Sequence, residues 1–259
     1  MGAVIQLNDL TLGYDGHPAV HHLDGAFEAG SLTAIVGPNG SGKSTLLKGI
    51  TGVLKPLGGR IEHAGFGVRE IAYLPQIAEI DRTFPAVVSD LVSLGFWKRR
   101  GLLGAIRGVD RQALDEALRA VGLAGFERRP IDTLSGGQLQ RALFARVLLQ
   151  DAQVILLDEP FTAIDEKTVA DLIGLVQHWH SEERTVIAVL HDVEMVQRVF
   201  PQTLLLAREP IAWGETGEAL KAENILKARR MTEAWDDHAP WHEPAGGHQH
   251  HHHHQGDAA

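Results

Sequence analysis

The chain has 259 residues, 44% of them hydrophobic, enough for a sizeable core in one large domain or two lobes. Its 33 acidic against 24 basic residues leave a net charge of −9, which excludes bulk attraction to nucleic acid or anionic lipid. Cysteine is absent, which excludes disulfides and thiolate metal sites and suits a reducing compartment.

Met1–Gln6 has no basic stretch leading into an apolar run and does not read as a signal peptide. The longest apolar runs, such as Val154–Leu157 and Thr203–Ala207, are too short to cross a bilayer, so any membrane role is expected to come through a partner. Leu32–Val36 is an apolar run entering a glycine-rich turn. After Lys43, the residues Leu46, Leu47 and Ile50 make a helical stripe closed by Gly52. Ile71–Leu74 reads as another strand, ending at Pro75-Gln76. From Asp81 to Gln150 the pattern is helical: Asp110 is placed to cap a segment whose Leu114, Ala117, Leu118 and Val121 share a face, and Gly122 ends it. A further helix is expected over Gln140–Gln150. Val154–Leu157 suits a central parallel strand buried on both faces. Glu166–His180 reads as helix, and Thr185–Leu190 and Thr203–Ala207 as strands. This alternation predicts an α/β fold with a doubly wound, mainly parallel sheet over residues 1–230, interrupted by a helical subdomain over about 81–150. From Met231 the composition shifts towards polar residues and histidine, with little to bury, so 231–259 is expected to be a mobile tail.

Three motifs carry chemistry. Gly37-Pro38-Asn39-Gly40-Ser41-Gly42-Lys43-Ser44-Thr45 fits the G-x-x-x-x-G-K-[ST] phosphate loop. Its glycines let backbone N–H groups curl around phosphates at the positive end of the next helix, Lys43 adds a point charge, and the Ser44 hydroxyl is the expected Mg²⁺ ligand. Asp158 and Glu159 end an apolar strand, where open parallel sheets bind ligands. Leu134-Ser135-Gly136-Gly137-Gln138 precedes a helix and would present a hydroxyl and N–H donors at its N-terminus, a second anion site.

In this order, the three motifs resemble the ATP-binding subunit of ATP-binding-cassette (ABC) transporters, and the resemblance runs from about Val4 to about Ala228. It implies a P-loop NTPase core of ABC type that binds ATP with Mg²⁺. By that resemblance Asp158 holds Mg²⁺ through water and Glu159 polarises the attacking water. Gln76 contacts Mg²⁺ and senses the partner subunit, and His191 contacts the γ-phosphate and orients the catalytic water. Tyr14 stacks on adenine. Ser135, Gly136, Gly137 and Gln138 complete the site of another copy, so that a homodimer sandwiches two ATP molecules head to tail. Thr162-Ala163-Ile164-Asp165 resembles the loop bridging the two subunits, usually Ser-Ala-Leu-Asp, with Asp165 in place.

Two stretches bear on cargo. The segment Ile71–Val92, with its Asp81, Phe84-Pro85 and Val88-Ser89-Asp90-Leu91-Val92, is similar to the ATPases of zinc and manganese importers, as are His191–Val196 and Ala212–Glu215. ATPases for iron chelates and cobalamin look related there and form the alternative. A third class, ABC proteins acting on DNA or ribosomes, fits less well: about ninety residues between Lys43 and Ser135 are too few for a long coiled coil. The favoured reading, an importer of divalent metal with zinc expected ahead of manganese, implies membrane permease subunits, an extracytoplasmic metal-binding protein and a peripheral location on the cytoplasmic side of the inner membrane, with no nucleic acid partner. The histidines His238, His242, His248, His250, His251, His252, His253 and His254, with Asp236 and Asp237, could bind Zn²⁺ as neutral imidazoles on a flexible run; a purification tag is the alternative. His21, His22, His178, His180 and Lys98-Arg99-Arg100 read as ordinary surface positions.

Overall fold

The computed structural model describes residues 2–97, 108–162 and 164–234. Two sheets organise them. The first is antiparallel, with order β2-β1-β4, where β1 is Ala3–Tyr14, β2 is His17–Glu28 and β4 is Gly58–His63. The second has order β5-β6-β7-β3-β8-β9, formed by β3 (Leu32–Val36), β5 (Ile71–Leu74), β6 (Val154–Asp158), β7 (Thr185–Val189), β8 (Gln202–Ala207) and β9 (Glu209–Glu215). All its pairings are parallel except β8 with β9.

The β3, β6 and β7 segments read as continuous apolar runs because every residue in them is buried, on one face of the sheet or the other. Their alternation divides the core into two. Leu32, Ala34, Ile155, Leu157, Val186 and Ala188 join one apolar cluster, while Ile35, Val154, Leu156, Ile187 and Val189 join the other. The second cluster packs against α1 (Lys43–Ile50) and the antiparallel sheet through Leu46, Leu47, Ile50, Ile5 and Leu12. The first packs against the helices of the insertion, α2 (Val88–Ser93), α3 (Gly108–Ala120) and α4 (Gly136–Gln150), and against α5 (Glu166–Ser181). Within it Phe144 of α4 stacks on Trp179 of α5, with ring centroids 5.8 Å apart and planes 5° apart. The shorter α6 (Val193–Val199) and α7 (Thr216–Ala219) lead to the last helix, α8 (Ala222–Ala234).

Three local readings shift. α4 begins at Gly136, four residues before the expected Gln140, because Ser135 caps it. The Ser135 hydroxyl accepts from the Gln138 N–H at 3.2 Å, and the Gln138 side chain accepts from the Ser135 N–H at 3.0 Å. Asp110 lies inside the first turn of α3 and is buried, so it is not the cap. α8 carries the chain past 231 to Ala234, and Met231 packs against the core, so the first residues of the expected tail are helical. The histidines from His238 to His254 and Lys98–Arg100 lie outside the described residues.

Candidate functional site

Because β3, β6 and β7 run parallel, their C-terminal ends reach one edge of the sheet, and the residues that follow them meet there. The phosphate loop follows β3, Asp158 ends β6 with Glu159 next, and His191 lies two residues beyond β7. Gln76 lies two residues after β5. The structure thus gathers Gly37–Thr45, Gln76, Asp158, Glu159 and His191.

The loop depends on its glycines. Gly42, the N-cap of α1, has φ 92°, and a Cβ there would lie 2.5 Å from the Ala19 carbonyl oxygen. At Gly37 a Cβ would lie 1.9 Å from the Leu206 carbonyl oxygen. Lys43 is buried, and its Nζ donates to the carbonyls of Gly37 at 2.9 Å and Pro38 at 2.7 Å. Burial pushes the Lys43 ammonium below the usual lysine range, with Glu159 and Asp158 pulling the other way. Residues 39–45 with Gln76 and Glu159 line a cavity of about 280 Å³. Glu159 and His191 also border a larger cavity of about 570 Å³ beside Ile164 and α6.

Hydrogen bonds join the polar groups into one network. The Ser44 hydroxyl donates to Asp158 Oδ1 at 3.0 Å. Gln76 Nε2 reaches Ser44 Oγ at 3.1 Å, Asp158 Oδ1 at 3.4 Å and Glu159 Oε1 at 3.0 Å. The His191 Nε2 lies 2.7 Å from Glu159 Oε1, and the Thr162 hydroxyl lies 3.4 Å from Glu159 Oε2. Asp158 is fully buried, and burial pushes its carboxyl above the usual range, reinforced by the Glu159 charge and opposed by hydrogen bonds from Ser44, Gln76 and Tyr73. Glu159 has φ 49°, a left-handed conformation that non-glycine residues adopt at some cost, held here by its N–H bond to the Val189 carbonyl at 3.2 Å.

The remaining expected residues stand apart from this cavity. Tyr14 ends β1 with about half its surface (48%) exposed. Ser135 is the N-cap of α4, Gly136, Gly137 and Gln138 form its first turn, and none of the four lines the 280 Å³ cavity. Asp165 caps α5, accepting from the Thr168 N–H at 2.9 Å and hydroxyl at 2.7 Å, and these bonds hold its carboxyl below the usual range. His21 is half-buried, with burial pushing its imidazole down, while His22 faces Asp9 at 2.7 Å. Among the described residues no group of three or more His, Cys, Asp or Glu is arranged to hold a metal, and no helix is long and apolar enough to cross a membrane.

Four residues that sequence reasoning passed over also belong here. The Tyr73 hydroxyl donates to Asp158 Oδ2 at 3.3 Å, and burial, helped by the Asp158 charge, pushes that phenol well above the usual range. Lys48 of α1 pairs with Glu79, just past Gln76, at 2.6 Å. Arg82 donates to the Leu134 carbonyl at 3.0 Å, tying the stretch after Gln76 to the start of the Ser135 motif. For Tyr73 a signal existed: strand parity puts residues 73 and 158 on the same sheet face of adjacent strands.

A family profile described as ABC transporter matches residues 20–162. The chain is 40% identical to the manganese transport system ATP-binding protein MntA of Synechocystis sp., over 80% of this chain and 82% of that protein. It is 36% identical to the zinc transport system ATP-binding protein TroB of Treponema pallidum, over 86% of each. Among solved structures, a metal-chelate type ABC transporter in an inward-facing conformation superposes with a TM-score of 0.78 at 28% identity, over 88% of this chain and 90% of that one. The profile spans the phosphate loop, the capped start of α4 and the carboxylate pair. The chain therefore belongs to the ABC transporter family, and its folded part is an ABC ATPase domain.

Proposed function

We propose that this ATPase energises a membrane importer of divalent metal, zinc or manganese. One observation carries the reading: relatives from manganese and zinc transport systems match at 36–40% identity over 80% or more of the chain. The segment Ile71–Val92, the residues from His191 to Val196 and Ala212–Glu215 are the stretches of this chain whose sequence pattern points the same way. The partners are permease subunits and, through them, an extracytoplasmic metal-binding protein, with the ATPase peripheral on the cytoplasmic side of the inner membrane. The ATPase domain then covers residues 1–230, which α8 extends to Ala234, with the tail beyond.

Ser44 and Asp158 supply oxygen donors, as a hard cation requires, and Gln76, whose amide NH₂ faces both of them, would offer its amide oxygen on rotation of that group; burial leaves the Asp158 carboxylate in need of positive charge. These residues fit Mg²⁺, which neutralises phosphate charge when bound. The loop N–H groups and Lys43 bind the phosphates of ATP, and Tyr14 stacks on its adenine. Glu159 takes a proton from the attacking water as the bond from the γ-phosphorus to the bridging oxygen breaks, giving ADP and phosphate. His191 orients Glu159 through the 2.7 Å contact and would contact the γ-phosphate and orient the attacking water. The capped α4 start, with Ser135, Gly136, Gly137 and Gln138, closes on the nucleotide of a second copy, and Asp165 lines that boundary. That role agrees with its distance from the phosphate cavity of its own chain.

The test is uptake of radiolabelled zinc and manganese by cells carrying the permease with either this chain or Glu159→Gln. Metal uptake is expected to fall to background with Glu159→Gln. Unchanged metal uptake with lost uptake of an iron chelate or cobalamin would refute the metal assignment. The histidine run adds a second proposal, a zinc-binding tail at His238, His242, His248 and His250–His254. Truncation after Ala234 is expected to remove zinc binding in calorimetry without affecting ATPase activity, and binding by the full chain is expected to weaken below about pH 6.

A further inference from the structure

Tyr73 stands on β5 with its Cα paired to Leu156 of β6. Its ring packs on the same core cluster as Leu156, and Asp158 follows two residues later on the same face. The phenol therefore points along the sheet towards the buried carboxylate, where it donates to Oδ2 at 3.3 Å. The other oxygen, Oδ1, faces Ser44 and Gln76. Among the described residues, the side-chain donor to Oδ2 is Tyr73 alone. Its own place does not depend on the hydroxyl, because its carbonyl accepts from Arg146 Nη2 of α4 at 2.8 Å.

We propose that Tyr73 is a positioning residue for the divalent cation of the ATP site, pinning Asp158 Oδ2 so that Oδ1 faces Ser44 and Gln76. The inference rests on the reading of Asp158, Ser44 and Gln76 as the cation-holding set. The carboxylate torsion is broad and roughly two-fold, so packing alone does not choose one orientation for the group. A hydrogen bond to the far oxygen does, as outer-shell partners do at metal sites generally. Losing such a partner typically costs 10- to 100-fold in metal affinity, and a 3.3 Å bond belongs at or below the low end of that range.

The test is full-length Tyr73→Phe, which removes the hydroxyl and keeps the ring and the Arg146 contact. Binding of a fluorescent ADP analogue is followed as Mg²⁺ is titrated, beside a measurement in EDTA. The Mg²⁺ midpoint is expected to rise about three- to tenfold, with ADP affinity in EDTA and melting temperature unchanged. Excess Mg²⁺ is expected to restore much of the lost ATPase rate. An unmoved Mg²⁺ midpoint, or an ADP affinity that falls equally with and without Mg²⁺, would overturn the proposal. Asp158→Asn separates the two levels of the argument. If it abolishes Mg²⁺ dependence while Tyr73→Phe leaves the midpoint alone, Tyr73 has no positioning role. If it too leaves the midpoint alone, the cation-holding set itself is wrong.

Discussion

Replacing Glu159 by Gln removes a charge and keeps a shape, so it separates chemistry from architecture. Glu159 Oε1 faces Gln76 Nε2 at 3.0 Å and His191 Nε2 at 2.7 Å. A glutamine carbonyl can accept from both, leaving its NH₂ beside the Thr162 hydroxyl, which can accept in turn. The ground-state cost of the change is then about 1 kcal/mol or less. The left-handed backbone at 159 is unaffected, since both side chains carry the same Cβ. The lost base, by contrast, costs about 10²–10⁴ in rate, or roughly 2.7–5.5 kcal/mol of barrier. The barrier effect wins severalfold. Phosphate release at saturating Mg-ATP is expected to fall by that factor while nucleotide affinity and melting temperature hardly move, and an ATP-bound dimer should accumulate on gel filtration. A variant within about tenfold of the parent rate would refute the assignment of Glu159 as base. Loss of nucleotide affinity matching the loss of rate would show that the residue acts in binding instead.

Lys43→Ala removes a charged donor from the loop and is expected to weaken ATP binding by about 1.5–3 kcal/mol in equilibrium titration. Asp158→Asn is expected to raise the melting temperature of the nucleotide-free protein at neutral pH. Burial raises the folded-state value of this carboxyl, so its contribution to stability is fully present at acid pH and is lost as pH rises through that value. The gap between the two proteins should therefore shrink as pH falls through the carboxylate range, and a gap that widens would contradict the burial argument. Trp179→Ala removes the partner of Phe144 in a fully packed region and is expected to cost about 3–5 kcal/mol in urea denaturation, independent of nucleotide.

The parallel strands were legible because each is a short, mostly buried apolar run, for which pattern and burial agree. Leu32–Val36 and Ile71–Leu74 appear with the bounds the sequence implies. The antiparallel sheet was not legible. β1 and β2 carry register shifts at Leu7/Leu10 and Leu10/Leu12, with left-handed Asp9 and His22 at the irregularities, and these break the period of two. That the phosphate-loop pattern, Gln76, the Asp158–Glu159 pair and His191 meet at one sheet edge was legible because each ends or follows a parallel strand. Their connections were not, since Lys48–Glu79 and Arg82–Leu134 join positions 31 and 52 residues apart with no local pattern. Asp165 shows the limit on the other side: spacing marks it as notable, but only the structure reveals it as the cap of α5.

Under the proposed mechanism each ATP site is made by two chains, with Lys43 acting in its own site and Ser135 in its neighbour's. Mixing Lys43→Ala with Ser135→Arg tests it most directly. Each variant alone is expected to be inactive, and Ser135→Arg is expected to bind ATP as a monomer with normal affinity. In the mixed dimer one site carries both lesions and the other neither, so ATP hydrolysis should return on mixing. Activity that stays absent in demonstrated heterodimers, with nucleotide affinity reduced equally in both parents, would place Ser135 and Lys43 in the same chain's site and rule out the two-chain arrangement.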